Sequence, residues 1–361
     1  MNRTAATQGA GQILGLQDSR QVVALDIAKS VFQLHTVDMK TGEVVNRALK
    51  RAKVREYFAN KAPCLIGIEA CGSAHHWARE LQALGHKVRL IHAKAVRPFV
   101  AGNKTDATDA RGIWLAIQQP GTKFVGVKTL EQQGTLILHR QRELLMKMKI
   151  MQINSLRGLL YELGVTFARG KQALASEIEA ELDKLVAGND LPRYIADSLH
   201  EQSLRVKTLA DEIKRIEVRL NERLKANADM KRVLKIPGVG LLTATAVIAT
   251  MGQADAFKSA REFCAWLGLV PQQRGTGGKV KLLGISKRGD TYLRKLLIHG
   301  ARAVFHHSKT PGQWLEQIKV RRPTNVVIVA QAAKIARTIW AVTAKQQDYL
   351  GGYRSVRPEA A

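Results

Sequence analysis

The first hundred residues alternate between short apolar runs and turn residues. Val22-Val23-Ala24-Leu25 is an apolar run closed by Asp26, and Val31 to Val37 alternates apolar with polar positions. Thr41-Gly42 marks a turn, and Val44-Val45 opens a third extended segment. Period-two runs between turn signals predict a β-meander. Val54 to Lys61 reads as a helix, Cys64 to Ile68 as a buried strand ending in Glu69, and His75 to Leu84 as an amphipathic helix stopped by Gly85. Val88 to Ile91 is a further strand, and a helix carrying Asp106 and Asp109 follows. The predicted order is three strands, helix, strand, helix, strand, helix: a mixed α/β domain over 21–126, after a flexible arm over 1–20.

The period then changes. Leu136, Leu145, Ile153, Leu156 and Leu160 recur at near-helical spacing, as do Leu209, Ile213, Ile216 and Leu220 in a stretch dense with Glu, Lys and Arg. Residues 127–228 are therefore expected to be two or three long helices, a hairpin or coiled coil that could pair copies of the chain. A mostly helical domain is expected over 229–345, with a Gly-rich loop at Gly275-Thr276-Gly277-Gly278, and a tail over 346–361.

Charge narrows the choice of partner. The 361 residues include 57 Lys+Arg and 30 Asp+Glu, a formal net charge of +27. From Pro271 onward there are 17 Lys+Arg against 4 Asp+Glu, so the excess is concentrated near the C-terminus. Such a surface repels itself unless a polyanion is near, which points to nucleic acid. With 45% hydrophobic residues the chain can bury cores and is not a disordered basic tail. Cys64, Cys71 and Cys264 form no Cys-x-x-Cys pair, which argues against a disulfide framework or a cysteine zinc site. The apolar run Leu241 to Met251 is too short for a bilayer. With no apolar signal stretch before Gln21, the expectation is a soluble, cytoplasmic, nucleoid-associated protein without a membrane.

Three constellations carry chemistry. Asp26 and Glu69 end apolar strands, and Asp106 and Asp109 lie three apart on one helix face. The element order β-β-β-α-β-α-β-α is that of a ribonuclease-H-like sheet, in which strands one and four are neighbours. Four carboxylates gathered there would need cations. Hard oxygen donors suit Mg²⁺ or Mn²⁺, and two such ions can flank a phosphodiester. The second constellation is Lys235-Ile236-Pro237-Gly238-Val239-Gly240 before an apolar helix. Its glycines could present backbone N–H groups to a phosphate, as a helix-hairpin-helix element does. The third runs from Gly268-Leu269-Val270-Pro271 through Arg274, Gly277, Gly278 and Lys279 to Ser286-Lys287-Arg288 and Arg294. It is not a P-loop, because Val280 stands where Ser or Thr is required. It offers two hydroxyls, Thr276 and Ser286, among cations that could offset phosphate charge during nucleophilic attack.

Together these motifs resemble the DEDD transposases of the insertion-sequence 110/1111 group, recombinases guided by a bridge RNA. The markers are Leu-Asp-Ile-Ala-Lys at 25–29, Gly-Ile-Glu-Ala-Cys-Gly at 67–72, Asn-Lys-Thr-Asp-Ala-Thr-Asp-Ala at 103–110, Ile-Pro-Gly-Val-Gly at 236–240 and Gly-Ile-Ser-Lys-Arg-Gly-Asp at 284–290. The resemblance implies a RuvC-like domain using Asp26, Glu69, Asp106 and Asp109 with Mg²⁺, a coiled-coil insert, and a transposase domain with a hydroxyl nucleophile that links covalently to DNA. The family's serine falls at Thr276 here, with Ser286 as the backup. DNA and guide RNA would be the partners, with Lys104, Gly238, Gly240, Arg274, Gly277, Gly278, Lys279, Lys287, Arg288 and Arg294 on the nucleic acid. A dimer or tetramer would bring the carboxylates of one copy to the hydroxyl loop of another. Two other readings remain at this stage: a structure-selective RuvC-like nuclease that forms no covalent link, and a non-catalytic nucleic-acid-binding protein.

Overall fold

The computed structural model describes residues 21–100, 103, 105–166, 171–188 and 191–352. Lys104, the arm over 1–20 and the tail beyond 352 lie outside the described residues. The chain divides into two compact units, Met1–Leu130 and Glu131–Ala361.

The first unit is a six-stranded mixed sheet. Its elements are β1 (Gln21–Ile27), β2 (Val31–Asp38), β3 (Val44–Lys50), α1 (Val54–Ala59), β4 (Leu65–Glu69), α2 (Ala74–Ala83), β5 (Lys87–Ile91), α3 (Ala93–Val96), α4 (Asp106–Ile117) and β6 (Phe124–Val125). The strand order is β3-β2-β1-β4-β5-β6. The meander β1-β2-β3 is antiparallel, β4 adds parallel to β1, and β5 adds parallel to β4. Strands one and four are thus neighbours, as the element order predicts. The short α3 and the two-residue β6 carry too little periodicity to be read from sequence.

The sheet separates two cores by alternation. Val23, Leu25, Ile66 and Ile68 pack on one face with Phe32, Phe58, Trp77 and Leu81 of β2, α1 and α2. Val22, Ala24 and Leu65 pack on the other face against Ile113, Ala116 and Ile117 of α4. Fully burying an aliphatic side chain contributes about 1.5–3 kcal/mol. These two apolar faces therefore decide which way every strand residue points, including the polar ones at the ends.

The second unit is mostly helical: α5 (Leu130–Glu162), α6 (Lys171–Ala187), α7 (Arg193–Ala226), α8 (Ala228–Leu234), α9 (Leu241–Met251), α10 (Ala260–Trp266), β7 (Pro271–Thr276), β8 (Lys279–Ile285), α11 (Thr291–His307), α12 (Gln313–Arg321) and α13 (Thr324–Ala344). The long helices α5 and α7 run antiparallel. Gln202 donates to the Gln152 carbonyl at 3.3 Å, Arg142 pairs with Glu217 at 2.6 Å, and Arg223 pairs with Glu131. Ile153, Leu156 and Leu160 of α5 share a core with Ile178 and Leu182 of α6 and Leu199 and Val206 of α7.

The helices that follow pack around α13. Its length and apolarity would suffice to cross a membrane, but Ile328, Ala332, Ile335, Ala336 and Ile339 are buried in the core of this unit. The Gly-rich stretch, expected as a loop, is the tip of an antiparallel hairpin. The signal was present: a Gly-Gly pair between extended runs favours a tight turn with both central residues at positive φ. Gly277 and Gly278 have φ of 55° and 79°.

Candidate active site

The placement of the four carboxylates follows from strand phase and helix phase. Asp26 is in step with Val22 and Ala24, so it belongs to the α4 face of the sheet. Glu69 is in step with Leu65 and Gly67 on β4, and it belongs to the same face. The two strands are in register up to Leu25 opposite Ile68, so each acid sits one residue past the last pair. On α4, the inward positions are Ala110, Ile113, Ala116 and Ile117. Asp106 and Asp109 precede them at helical spacing, so they crown the same face.

Two glycines bring α4 close. A Cβ on Gly67 would lie 3.0 Å from Ile117 Cδ1 and 3.4 Å from Ile113 Cγ2. One on Gly112 would lie 2.6 Å from Val100 Cγ2, beside the segment that leads into the helix. The helix start is held by a reciprocal cap. Thr108 N–H donates to Thr105 Oγ1 at 3.2 Å, and Thr105 N–H donates to Thr108 Oγ1 at 2.9 Å. The first turn is also where the helix dipole favours negative charge.

Asp26 feels the other three. Asp26 is half-buried and its pKa is raised from 3.8 to about 6, first by burial and then by the charges of Asp109, Asp106 and Glu69. Among the described residues, no three Asp, Glu, His or Cys side chains are drawn together tightly enough to make a ready metal cage. The carboxylates are therefore in electrostatic contact but held open. Their donors are all hard oxygens, and their mutual repulsion is what a divalent cation would relieve. The donor type suits such an ion, although the side chains do not converge on one point.

The second unit builds its site from backbone interlocks. Thr276 closes β7 and pairs with Lys279 across the Gly277-Gly278 turn; Arg274 pairs with Lys281. Thr276, Arg274 and Lys279 are exposed. A Cβ at Gly275 would lie 2.7 Å from the Lys279 carbonyl oxygen, so the strands close tightly there. Ser286, just after β8, donates its N–H to the Val270 carbonyl at 2.8 Å. Its hydroxyl is buried and has no partner. It lines a cleft of about 780 Å³ under the hairpin, with Gln273, Arg274, Leu282 and Arg288.

The stretch from Ser286 to Gly289 is locked against the end of α10. A Cβ on Gly268 would sit 2.1 Å from the Arg288 carbonyl oxygen, and one on Gly289 would sit 1.8 Å from that of Trp266. Lys287 is left-handed at φ 52°, a conformation that costs a non-glycine residue free energy unless its surroundings enforce it. Lys287 and Arg288 are exposed at this corner. Asp290 caps α11 by accepting from Leu293 N–H at 2.9 Å.

Two of the expected nucleic-acid contacts, Arg294 and Gly238, are also packed against the protein itself. Arg294 is only 8% exposed. Its guanidinium donates to the carbonyls of Leu267 and Arg288, both at 3.0 Å, so it braces the corner from inside. Gly238 is also committed inward. Its missing Cβ faces the Gly300 carbonyl oxygen and Val304 Cγ2 at 2.9 Å, while a Cβ on Gly300 would meet the Gly238 oxygen at 1.9 Å. Gly240 differs: it caps α9 without a side-chain bond, and a Cβ there would meet nothing within 4 Å.

One buried group was not anticipated. His139 of α5 bonds Thr245 Oγ1 of α9 through Nε2 at 3.0 Å and Tyr292 Oη of α11 through Nδ1 at 2.9 Å. Thr245 donates its own proton to the Leu241 carbonyl at 2.7 Å, so it accepts from His139 Nε2–H, and Tyr292 donates to Nδ1. Burial, with Arg142 nearby, pulls the His139 pKa down to about 4. The neutral ring pins the long helix to the helical core. A lone His on a helix gives no sequence signal for partners more than a hundred residues away.

A mixed α/β unit carrying strand-end carboxylates is thus joined to a helical unit with hydroxyls beside cations. Residues 230–314 match the family described as the IS116/IS110/IS902 transposases. The chain is 44% identical over 335 residues to a probable family 20 transposase of Pseudomonas aeruginosa, covering 91% of this chain and 98% of that protein. It is 39% identical over 339 residues to the transposase for insertion sequence element IS1111A of Coxiella burnetii, covering 92% of each. It is 34% identical over 326 residues to the transposase for element IS1328 of Yersinia enterocolitica, covering 89% and 96%. The chain belongs to the IS110/IS1111 family of transposases.

Proposed function

We propose that this transposase moves its insertion sequence by cutting and rejoining DNA at a RuvC-like, ribonuclease-H-like carboxylate centre that works with the hydroxyl-bearing hairpin of the second unit. The observation that carries the reading is the Asp26 carboxyl, raised to about 6 partly by three acids that are distant in sequence. Asp26, Glu69, Asp106 and Asp109 would hold Mg²⁺ or Mn²⁺, which would supply positive charge against a phosphodiester. Thr276 is the proposed nucleophile. It stands exposed at the hairpin tip; its Oγ would attack phosphorus and give up its proton to solvent, while the P–O bond to the 3′ or 5′ oxygen of the cut strand breaks and that oxygen takes up a proton from solvent. Arg274 and Lys279 beside it offset the charge that develops on the phosphate oxygens. Ser286 is the alternative nucleophile; its hydroxyl has no partner but is buried, so it would have to be uncovered to react.

The loop of Gly238 and Gly240 between α8 and α9 is proposed as a helix-hairpin-helix-like backbone grip, in which Gly240 is the open position. A guide RNA is proposed to choose the DNA by base pairing, so the protein reads mainly backbone and shape. Ile137, Leu144 and Met151 are exposed on α5 at seven-residue spacing. They are proposed to form a coiled-coil seam between copies in a dimer or tetramer.

The test is recombination in vitro with element-end DNA, guide RNA and Mg²⁺. Asp26→Ala and Asp106→Ala should each abolish junctions, and normal recombination by both would refute the carboxylate centre. Thr276→Ala should abolish strand exchange and the denaturant-resistant protein–DNA adduct, while Thr276→Ser retains both. An adduct that persists in Thr276→Ala and vanishes in Ser286→Ala moves the role to Ser286. Cleavage without any adduct favours a structure-selective nuclease.

A further inference from the structure

The strongest unassigned feature of the first unit is a basic cleft at the edge of its sheet. Among the described residues, β3 is the edge strand and pairs with β2 alone. Leu49 is buried in the core shared with Val54 and Phe58 of α1, so Arg47, two residues earlier, belongs to the same face. The Arg47 guanidinium lies 5.3 Å from the centre of the Tyr57 ring, and the Lys61 ammonium lies 5.5 Å from it. These three residues, with Leu49, Asn60 and the Lys53–Glu56 ion pair, line a cleft of about 440 Å³.

The charges of this segment are not balanced within the chain. From Arg47 to Lys61 there are six Lys or Arg residues and one acid, Glu56. Lys53 pairs with Glu56 at 2.9 Å, and Arg55 reaches Glu80 at 3.9 Å. Arg51 stacks over Phe32 and Trp77 at 5.4 and 5.3 Å. Arg47, Lys50 and Lys61 have no carboxylate partner among the described residues. Tyr57 therefore gathers two uncompensated cations on one ring. Cation–π attraction holds each of them, while their mutual repulsion calls for an anion.

The cleft is separate from the carboxylate centre. Asp26 and Glu69 belong to the α4 face, whereas Arg47 and Tyr57 belong to the α1 face. β3 also lies two strands from β1, roughly 10 Å at the usual strand spacing. We propose that the β3–α1 cleft grips the sugar–phosphate backbone of duplex DNA outside the reacting site, through Arg47 and Lys61 on Tyr57, by charge and not by base sequence. The proposal rests on the DNA-handling role of the transposase and adds a contact that none of the sequence motifs marks. Charged edge strands also serve to prevent edge-to-edge association. That role needs neither a concave site nor two cations on one ring.

The experiment compares full-length protein with the Arg47→Gln/Lys61→Gln double variant. Both are made with Asp26 intact and with Asp26→Ala, and binding to a 40-base-pair duplex of unrelated sequence is followed across a salt series. Each lost phosphate contact removes about 0.9 from the slope of log affinity against log salt. The expected result is a slope smaller by roughly two and an affinity lower by about 10- to 100-fold at low salt, in both backgrounds. An Arg47→Lys/Lys61→Arg variant should restore both quantities, and unchanged melting temperatures exclude unfolding as the cause. Unchanged affinity and slope would overturn the proposal. So would a loss confined to single-stranded or folded RNA. Because binding is read in the Asp26→Ala background as well, failure of the carboxylate centre and failure of the cleft give different results.

Discussion

At the scale of single residues, Asp26 is set by its strand and opposed by its neighbours. Core residues in step with it fix its direction, and three acids and burial oppose its ionisation. Its folded pKa of about 6 exceeds the ordinary 3.8, so the native state holds this proton more tightly than the unfolded chain does. The contribution of this group to stability is therefore greatest in acid and declines as pH rises from about 4 to about 6. Asp26→Asn should raise the metal-free melting transition of the first unit at pH 7. The gain should be about 1–2 kcal/mol once solvent screening of a half-exposed group is allowed for. Millimolar Mg²⁺ should stabilise the wild type more than the variant; equal responses would place the cation elsewhere. Gly289 is the counterpart in the second unit. It has φ 82°, and its absent Cβ would overlap the Trp266 carbonyl. Gly289→Ala should cost at least about 2–4 kcal/mol, measured by denaturant unfolding, and should disrupt the Ser286–Arg288 corner.

At the scale of elements, the two long helices carry more apolar surface than one copy buries. Ile137, Leu144 and Met151 are exposed along α5, and Leu204 and Val218 along α7. A seven-residue repeat on a 33-residue helix suits a coiled-coil partner, since the drift of a straight helix is absorbed by supercoiling. Leu144→Lys with Met151→Lys should lower the mass seen by sedimentation while leaving the far-ultraviolet helical signal intact. An unchanged mass would remove this stripe from the assembly. The hairpin β7–β8 is the opposite case. It is a two-stranded ribbon exposed along most of its length, with Val280 and Leu282 outward. Such a ribbon is marginal in water and depends on what it is anchored to. Its base is joined to the helical core by the Gly268 and Gly289 interlocks and the Arg294 brace.

At the scale of the whole molecule, the two units should respond to acid in opposite directions. Asp26 favours the first unit as pH falls from about 6 to 4. His139, with a folded pKa of about 4 against an ordinary 6.5, favours the second unit above 6.5, and that contribution is lost as pH falls through 6.5 toward 4. Amide exchange between pH 6.5 and 4, corrected for intrinsic rates, should show slower opening around β1 and faster opening around α5 and α11. His139→Gln should flatten the second trend; if the trend persists, another group drives it.

Much of this protein was legible in its sequence because alternation and helical spacing are local. The order of elements in the first unit, the long helices and the four acids at strand ends and on one helix turn all follow from neighbours a few residues apart. Phase alone assigns Asp26 to the face opposite Leu25. Tertiary structure decided what depends on distant partners. It determined that the Arg294 guanidinium bonds carbonyls of a neighbouring turn and that Gly238 packs tightly on Gly300, contacts made by groups from elsewhere in the chain. It set His139 between two helices more than a hundred residues away, and it set two cations on the ring of Tyr57 at a sheet edge. The physical reason is the range of the forces. Periodicity records which side of an element meets a core, whereas hydrogen bonds and backbone contacts are satisfied only by whichever group the completed fold brings within about 3 Å.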